Sequence, residues 1–293
     1  MFSVSSFLIT FRETIEAALV IGILIAYVVK IEKRKLKRDI WIGTILGIIL
    51  SVALGVIFTF VLGSFEEYEP IIEGFSMVLA AILLTWMIIW MRETGRNIKG
   101  KLESRIDLSI RNEQRFGLFS LAFVSVLREG IETVIFLSGI EAVEESQATV
   151  LWSGMVGIAI ALIVAVILFL SGKRFNLRLF FGITSIILIL FASGMLAHGF
   201  HEFQELGWFG SENAFLQKVV WDTSSILNDK TTELGKFLRT MFGYQDKPTW
   251  LEFFIYVGYY LLIGLLIFVI RKRSKSRELT KETMVNQNTS LTD

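Results

Sequence analysis

The chain has 293 residues, 53% of them hydrophobic, with only two prolines, no cysteine and a formal net charge of +1, and its mean hydropathy is +0.61. This is the composition of a polytopic membrane protein, and it argues against a soluble domain or a nucleic-acid-binding one. Without cysteine there are no disulfides, thiolate zinc sites or iron–sulfur ligands, so metal chemistry falls to oxygen or to the two histidines.

Seven apolar runs of spanning length, about 20 residues, fall near 3–29, 40–63, 72–91, 117–140, 149–172, 179–199 and 250–270. The first has no basic region before it and continues past Glu16 without a small-residue cleavage pattern, so it reads as a retained span rather than a removed signal peptide. Lys30, Lys33, Arg34, Lys35, Lys37 and Arg38 stand between runs one and two, and 92–116 holds Arg92, Arg96, Lys99, Lys101, Arg105, Arg111 and Arg115. Lys173, Arg174 and Arg178 follow the fifth run, and Arg271, Lys272, Arg273, Lys275 and Arg277 follow the seventh. Alternating helices put all these clusters on one side. The positive-inside rule makes that side cytoplasmic, with the N-terminus outside and the C-terminus inside.

The opposite side is acidic. Glu66, Glu67 and Glu69 precede run three, and Glu141, Glu144 and Glu145 follow run four, with no Lys or Arg in either short connection. These carboxylates are candidates for an outer cation antechamber; the plain alternative is that the topology rule has merely removed basic residues there. Glu73 reads as a helix N-terminal carboxylate favoured by the dipole. Thr44, Gly47, Ser51 and Gly55, and later Gly154 and Gly157, form small-residue faces suited to close helix packing.

The expected organisation is one membrane domain over 1–273: a first repeat at about 3–91, a second at about 117–199, an outer loop at 200–249 and a last span at 250–270. A polar tail over 274–293 is expected to be disordered. Within the outer loop, Leu216, Val219, Val220, Ile226, Leu227, Leu234, Phe237, Leu238, Met241 and Phe242 fall largely at helical spacing, which predicts one or two amphipathic helices. His198, His201, Glu202 and Glu205 fall on one face if the sixth helix continues to 205. They are candidates for an outer metal intake, weighed against a hydrogen-bonded boundary feature.

Two apolar runs contain the same charged pattern: Arg12-Glu13-Thr14-Ile15-Glu16 and Arg128-Glu129-Gly130-Ile131-Glu132, each R-E-x-x-E. One charged side chain in hydrocarbon costs roughly 2.5–3.5 kcal/mol on insertion scales, so three in five residues, twice, call for a reason. On a helix Glu13 and Glu16 share a face and Arg12 can pair with Glu16 at i,i+4; Glu129, Glu132 and Arg128 repeat the arrangement. The motifs lie 116 residues apart with three spans in that interval. An odd number of crossings inverts the second copy, giving an inverted 3+3 repeat plus one further helix, with a substrate site expected at the repeat interface. Four carboxylates against two arginines leave up to two formal negative charges for a cation. Oxygen ligands of this kind suit Fe3+, Mn2+ or Ca2+ and disfavour Cu(I). The plain alternative is a pair of intrahelical salt bridges, but buried pairs add little stability and apolar residues would pack better.

Paired R-E-x-x-E motifs in spans one and four of a seven-span chain resemble the oxidase-dependent ferric iron permeases, both the fungal high-affinity permeases and their bacterial counterparts in the ferrous-iron uptake system. The resemblance covers almost the whole chain, including His201-Glu202-Phe203-Gln204-Glu205. It implies a plasma-membrane importer of Fe3+ in which Glu13, Glu16, Glu129 and Glu132 bind or pass the ion, supported by Arg12 and Arg128. It also implies an iron oxidase or peroxidase partner at the outer face, and no permanently bound cofactor. Two other functions stay open at this point: transport or exchange of another cation such as Mn2+, Pb2+ or H+, and a membrane scaffold whose charges only join helices. No Ser-His-Asp arrangement or phosphate loop is present, so an enzyme is not expected.

Overall fold

The computed structural model describes residues 2–63, 68–94, 115–144, 146–171, 177–210, 214–229 and 231–290. Seven long helices lie within them: α1 (Val4–Lys30), α2 (Lys37–Gly63), α3 (Glu69–Thr94), α4 (Arg115–Glu144), α5 (Gln147–Ser171), α6 (Leu177–Glu205) and α8 (Trp250–Ser290). A short helix, α7 (Glu233–Phe242), stands before the last. Each long helix covers one apolar run to within one residue at either end. The described residues contain no strand, only a single antiparallel bridge between Val219 and Thr249.

Five of the helices are long and apolar enough to cross a membrane: the stretches Arg34–Val61, Pro70–Trp90, Gln147–Leu170, Gly182–Glu205 and Trp250–Ile270. α1 and α4, of 27 and 30 residues, match them in length but carry the charged motifs. Ile45, Ile48, Val52 and Val56 on α2, Leu162, Ile163, Val166 and Leu170 on α5, and Leu261, Leu265 and Phe268 on α8 are exposed. An apolar surface of this extent is a lipid-facing surface.

The helices exchange partners between the two halves. α1 packs along α5, α2 along α4 and α3 along α6, while α1 and α4 meet in the middle. Small residues allow the close approach. A Cβ on Gly47 would stand 3.0 Å from Val126 Cβ and 3.1 Å from the Phe123 carbonyl, and one on Gly157 would press on Thr10 and the Phe7 carbonyl. The contacted pairs, Phe7 with Phe123 and Thr10 with Val126, are 116 residues apart, the same interval as the two motifs. Hydroxyls finish the α1–α5 seam: Ser6 Oγ donates to the Val150 carbonyl (2.6 Å), and Thr10 Oγ1 donates to that of Gly154 (3.0 Å).

The main core lies between α1, α3, α4, α6 and α8 and includes Ile9, Met77, Leu84, Phe136, Ile140, Phe191, Met195 and Tyr259. A second cluster, with Leu24, Val28, Ile40, Leu118 and Val126, closes the ends of α1, α2 and α4 away from it. The charged motifs sit between these apolar layers.

The outer loop agrees with expectation and the tail differs from it. Of the one or two amphipathic helices expected in the outer loop one forms, and the described residues 218–229 are not helical. Asp222 Oδ1 accepts from Ser224 N (3.0 Å), Asn228 Oδ1 from Thr231 N (2.8 Å), and Thr223 N donates to the Asp246 carbonyl (2.9 Å), so side chains and turns satisfy the backbone instead. Only α7 forms, capped by Thr232, which accepts from Gly235 N, and by Gly243 at φ +66°. The difference is the tail, where disorder was expected beyond 273: α8 runs on as helix to Ser290. No Gly or Pro follows Gly264 to stop it.

Candidate metal centre

α1 and α4 each present one face at the level of the motifs. On α1, Arg12 is fully buried; its Nε lies 3.1 Å from Glu16 Oε1, and its Nη1 lies 3.8 Å from Glu13 Oε1. These are charge contacts rather than aligned hydrogen bonds, since none of the three guanidinium nitrogens has a hydrogen-bonding partner in good geometry. On α4, Arg128 Nε donates to Glu129 Oε1 at 3.1 Å, with Nη2 also on that oxygen, and lies 3.5 Å from Glu132 Oε1.

Glu13, Glu16 and Glu129 converge: one carboxylate oxygen from each lies within 4.8 Å of the others, and all three residues are buried. Both oxygens of Glu13, Oε1 of Glu16 and Oε2 of Glu129 are buried without a hydrogen bond. Buried carboxylate oxygens brought this close need positive charge or protons to offset their repulsion, and among the described residues Arg12 is the one cation buried with them. Three hard oxygen donors from two helices can ligate a hard cation. Of the four carboxylates singled out in the motifs, Glu132 stays at the side; its side chain is 23% exposed and it pairs with Arg128.

The other candidates sit elsewhere. Glu66, Glu67 and Glu145 lie outside the described residues, and α3 begins at Glu69. Glu144 accepts a hydrogen bond from Ser3 Oγ (2.5 Å), tying the end of α4 to the start of α1. α6 does reach Glu205, so His198, His201, Glu202 and Glu205 share its last turns. His201 is held from both ring nitrogens: Nδ1 lies 2.8 Å from Glu252 Oε1, and Nε2 lies 3.2 Å from Glu205 Oε1. His198 accepts from Arg239 Nε at 3.2 Å and lies against the Gly194 carbonyl. These contacts join α6, α7 and α8. Glu252 was not foreseen, although Thr249 and Glu252 form a capping box at the start of α8 that its spacing advertises. Trp90 was also missed. Its ring lies under Arg128, with Cζ 5.1 Å from the centroid.

The protein-family comparison matches residues 3–274 to the iron permease FTR1 family. The chain belongs to that family. The iron permease is 32% identical over 274 residues to the ferrous iron permease EfeU of Escherichia coli O6:H1 strain CFT073, covering 92% of this chain and 96% of that one. It is equally similar to EfeU of Shigella sonnei strain Ss046 and 31% identical over 272 residues to EfeU of Yersinia pestis, again over 92% of the chain. No solved structure matches it. Family membership and the apolar helices make it a multi-pass protein of the cell membrane and a transporter by class.

Proposed function

We propose that this permease carries Fe3+ inward across the cell membrane through the carboxylates of Glu13, Glu16 and Glu129, with Glu132 joining as the ion moves. The observation that carries this is the convergence of three buried carboxylates, four of whose six oxygens are buried without a hydrogen bond. The relatives are named for ferrous iron, and an all-carboxylate centre is harder than a ferrous site requires. Both facts fit a ferrous ion oxidised at the outer face by an oxidase or peroxidase partner and taken up as Fe3+. The iron is cargo, and no resident cofactor is needed.

In this reading seven helices span the membrane, with the N-terminus outside and the C-terminus in the cytoplasm. α1–α3 and α4–α6 are inverted repeats of the 1–273 domain, and α8 is an addition. The partner exchange of α1 with α5 and α2 with α4 supports the repeat, as does the 116-residue spacing of equivalent contacts. Transport then proceeds by one half rocking against the other around the centre where α1 and α4 meet. A scaffold role is disfavoured, because a packing salt bridge has no use for Glu13 Oε2 and Glu129 Oε2, buried with no hydrogen bond.

Radiolabelled iron uptake by cells expressing the wild type, Glu16→Gln and Glu129→Gln tests this. With Fe3+ supplied and a ferrous chelator present, wild-type uptake should persist and both variants should lose it at unchanged protein level. Uptake indifferent to both substitutions would return the motifs to structural salt bridges. Suppression of iron uptake by Mn2+ at equal concentration would move the substrate to another hard cation.

A further inference from the structure

Each arginine contacts both carboxylates of its own motif, but the two live in different surroundings. The Arg12 side chain is 0% exposed and Arg128 is 47% exposed. Arg12 is walled in by α1 and its neighbours and cannot leave without stranding Glu13 and Glu16. Arg128 stands at the open edge of the centre, between Glu129 and the ring of Trp90 on α3. Trp90 lies near Thr94, the end of α3 remote from the 206–249 segment, since the other end of that helix meets Gly199 and Phe203 of α6.

A cation entering among Glu13, Glu16 and Glu129 can take Glu129 through its unbonded Oε2, and then shares that carboxylate with Arg128 on Oε1. The new charge repels the guanidinium and weakens its hold on the carboxylate. An aromatic face attracts a flat, weakly hydrated guanidinium without offering an oxygen the cation could use. We propose that Arg128 is the exchangeable counter-ion of the centre and that Trp90 is its positioning residue, keeping the guanidinium at hand when cargo displaces it from Glu129. Arg12 is the fixed counter-ion. This rests on the carboxylate-centre reading above and assigns a role to a residue outside both motifs.

The test is equilibrium dialysis of Tb3+, a hard trivalent probe, against the purified full-length protein in detergent, counting only the binding that Glu13→Gln removes. Trp90→Leu leaves Arg128 without its resting place and should raise the half-saturating Tb3+ concentration about tenfold, which corresponds to about 1.4 kcal/mol and lies within the range of a partly desolvated cation–π contact. Trp90→Phe retains an aromatic face and should stay within about threefold of wild type. In an Arg128→Gln background Trp90→Leu should have no further effect, a result that a merely structural tryptophan would not give. Wild-type binding by Trp90→Leu, or the same shift in both backgrounds, would overturn the proposal. Tb3+ binding unaffected by Glu13→Gln would overturn it together with the centre on which it rests.

Discussion

Removing the buried arginine of α1 is the sharpest perturbation the centre offers. At an effective dielectric of about 20, a unit charge at 3.1 Å from Glu16 gains about 5 kcal/mol and at 3.8 Å from Glu13 about 4 kcal/mol. Ionised carboxylates within 4.8 Å of one another repel by at least about 3.5 kcal/mol for each pair. These gross terms are largely offset by desolvation, and the net cost of deleting one partner of a buried pair is about 3–5 kcal/mol. Arg12→Met preserves the aliphatic stem and should therefore lower the melting temperature of the detergent-solubilised protein by on the order of 10 °C. The double variant Arg12→Met/Glu16→Gln removes one stranded charge and should regain part of that loss. A single variant melting within about 2 °C of wild type would refute the view that Arg12 is the counter-ion holding the centre together.

Glu129→Gln should abolish iron uptake, whereas Glu132→Gln, placed beside the group, should reduce it less; equal loss from both would mean that all four carboxylates act together during transport. Gly194→Ala would set a Cβ 2.5 Å from Gly243 Cα and 2.7 Å from Gly243 N, pushing the α7 segment off α6 at a cost of about 1–3 kcal/mol. Faster proteolysis within 206–249 is the expected sign, and an unchanged cleavage rate would contradict the close packing. Glu252→Gln keeps the shape of the α8 cap but weakens its contact with His201, and should destabilise the packing of α6, α7 and α8 there by about 1–2 kcal/mol without altering iron affinity.

The helices and the i,i+4 ion pairs within each motif were legible because both depend on local rules. Apolar runs give spans, and Arg12 and Glu16 at i,i+4 must share a helix face. Which carboxylates meet was not legible. The distances among Glu13, Glu16 and Glu129 depend on how α1 and α4 cross, and that crossing is set by distant contacts such as Gly47 on Val126 and Gly157 on Thr10. Trp90 escaped notice for the same reason, since an aromatic residue in an apolar run has no local mark of pairing with an arginine on another helix. The apolar spacing of 218–229 gave no second helix beside α7, because Asp222 and Asn228 held the backbone in turns. Its polar residues outweighed its periodicity.

The exchange of partners between halves also bears on how the chain is made. α1 emerges with three charges in its apolar stretch and finds its main packing surface, α5, only after more than a hundred further residues have been synthesised. Until then Arg12 has only Glu13 and Glu16 on its own helix to offset its charge. Neither three-helix half encloses the centre by itself, so assembly is expected to wait for α4 and α5, and a chain interrupted after α3 should be degraded rather than accumulate as a half-permease.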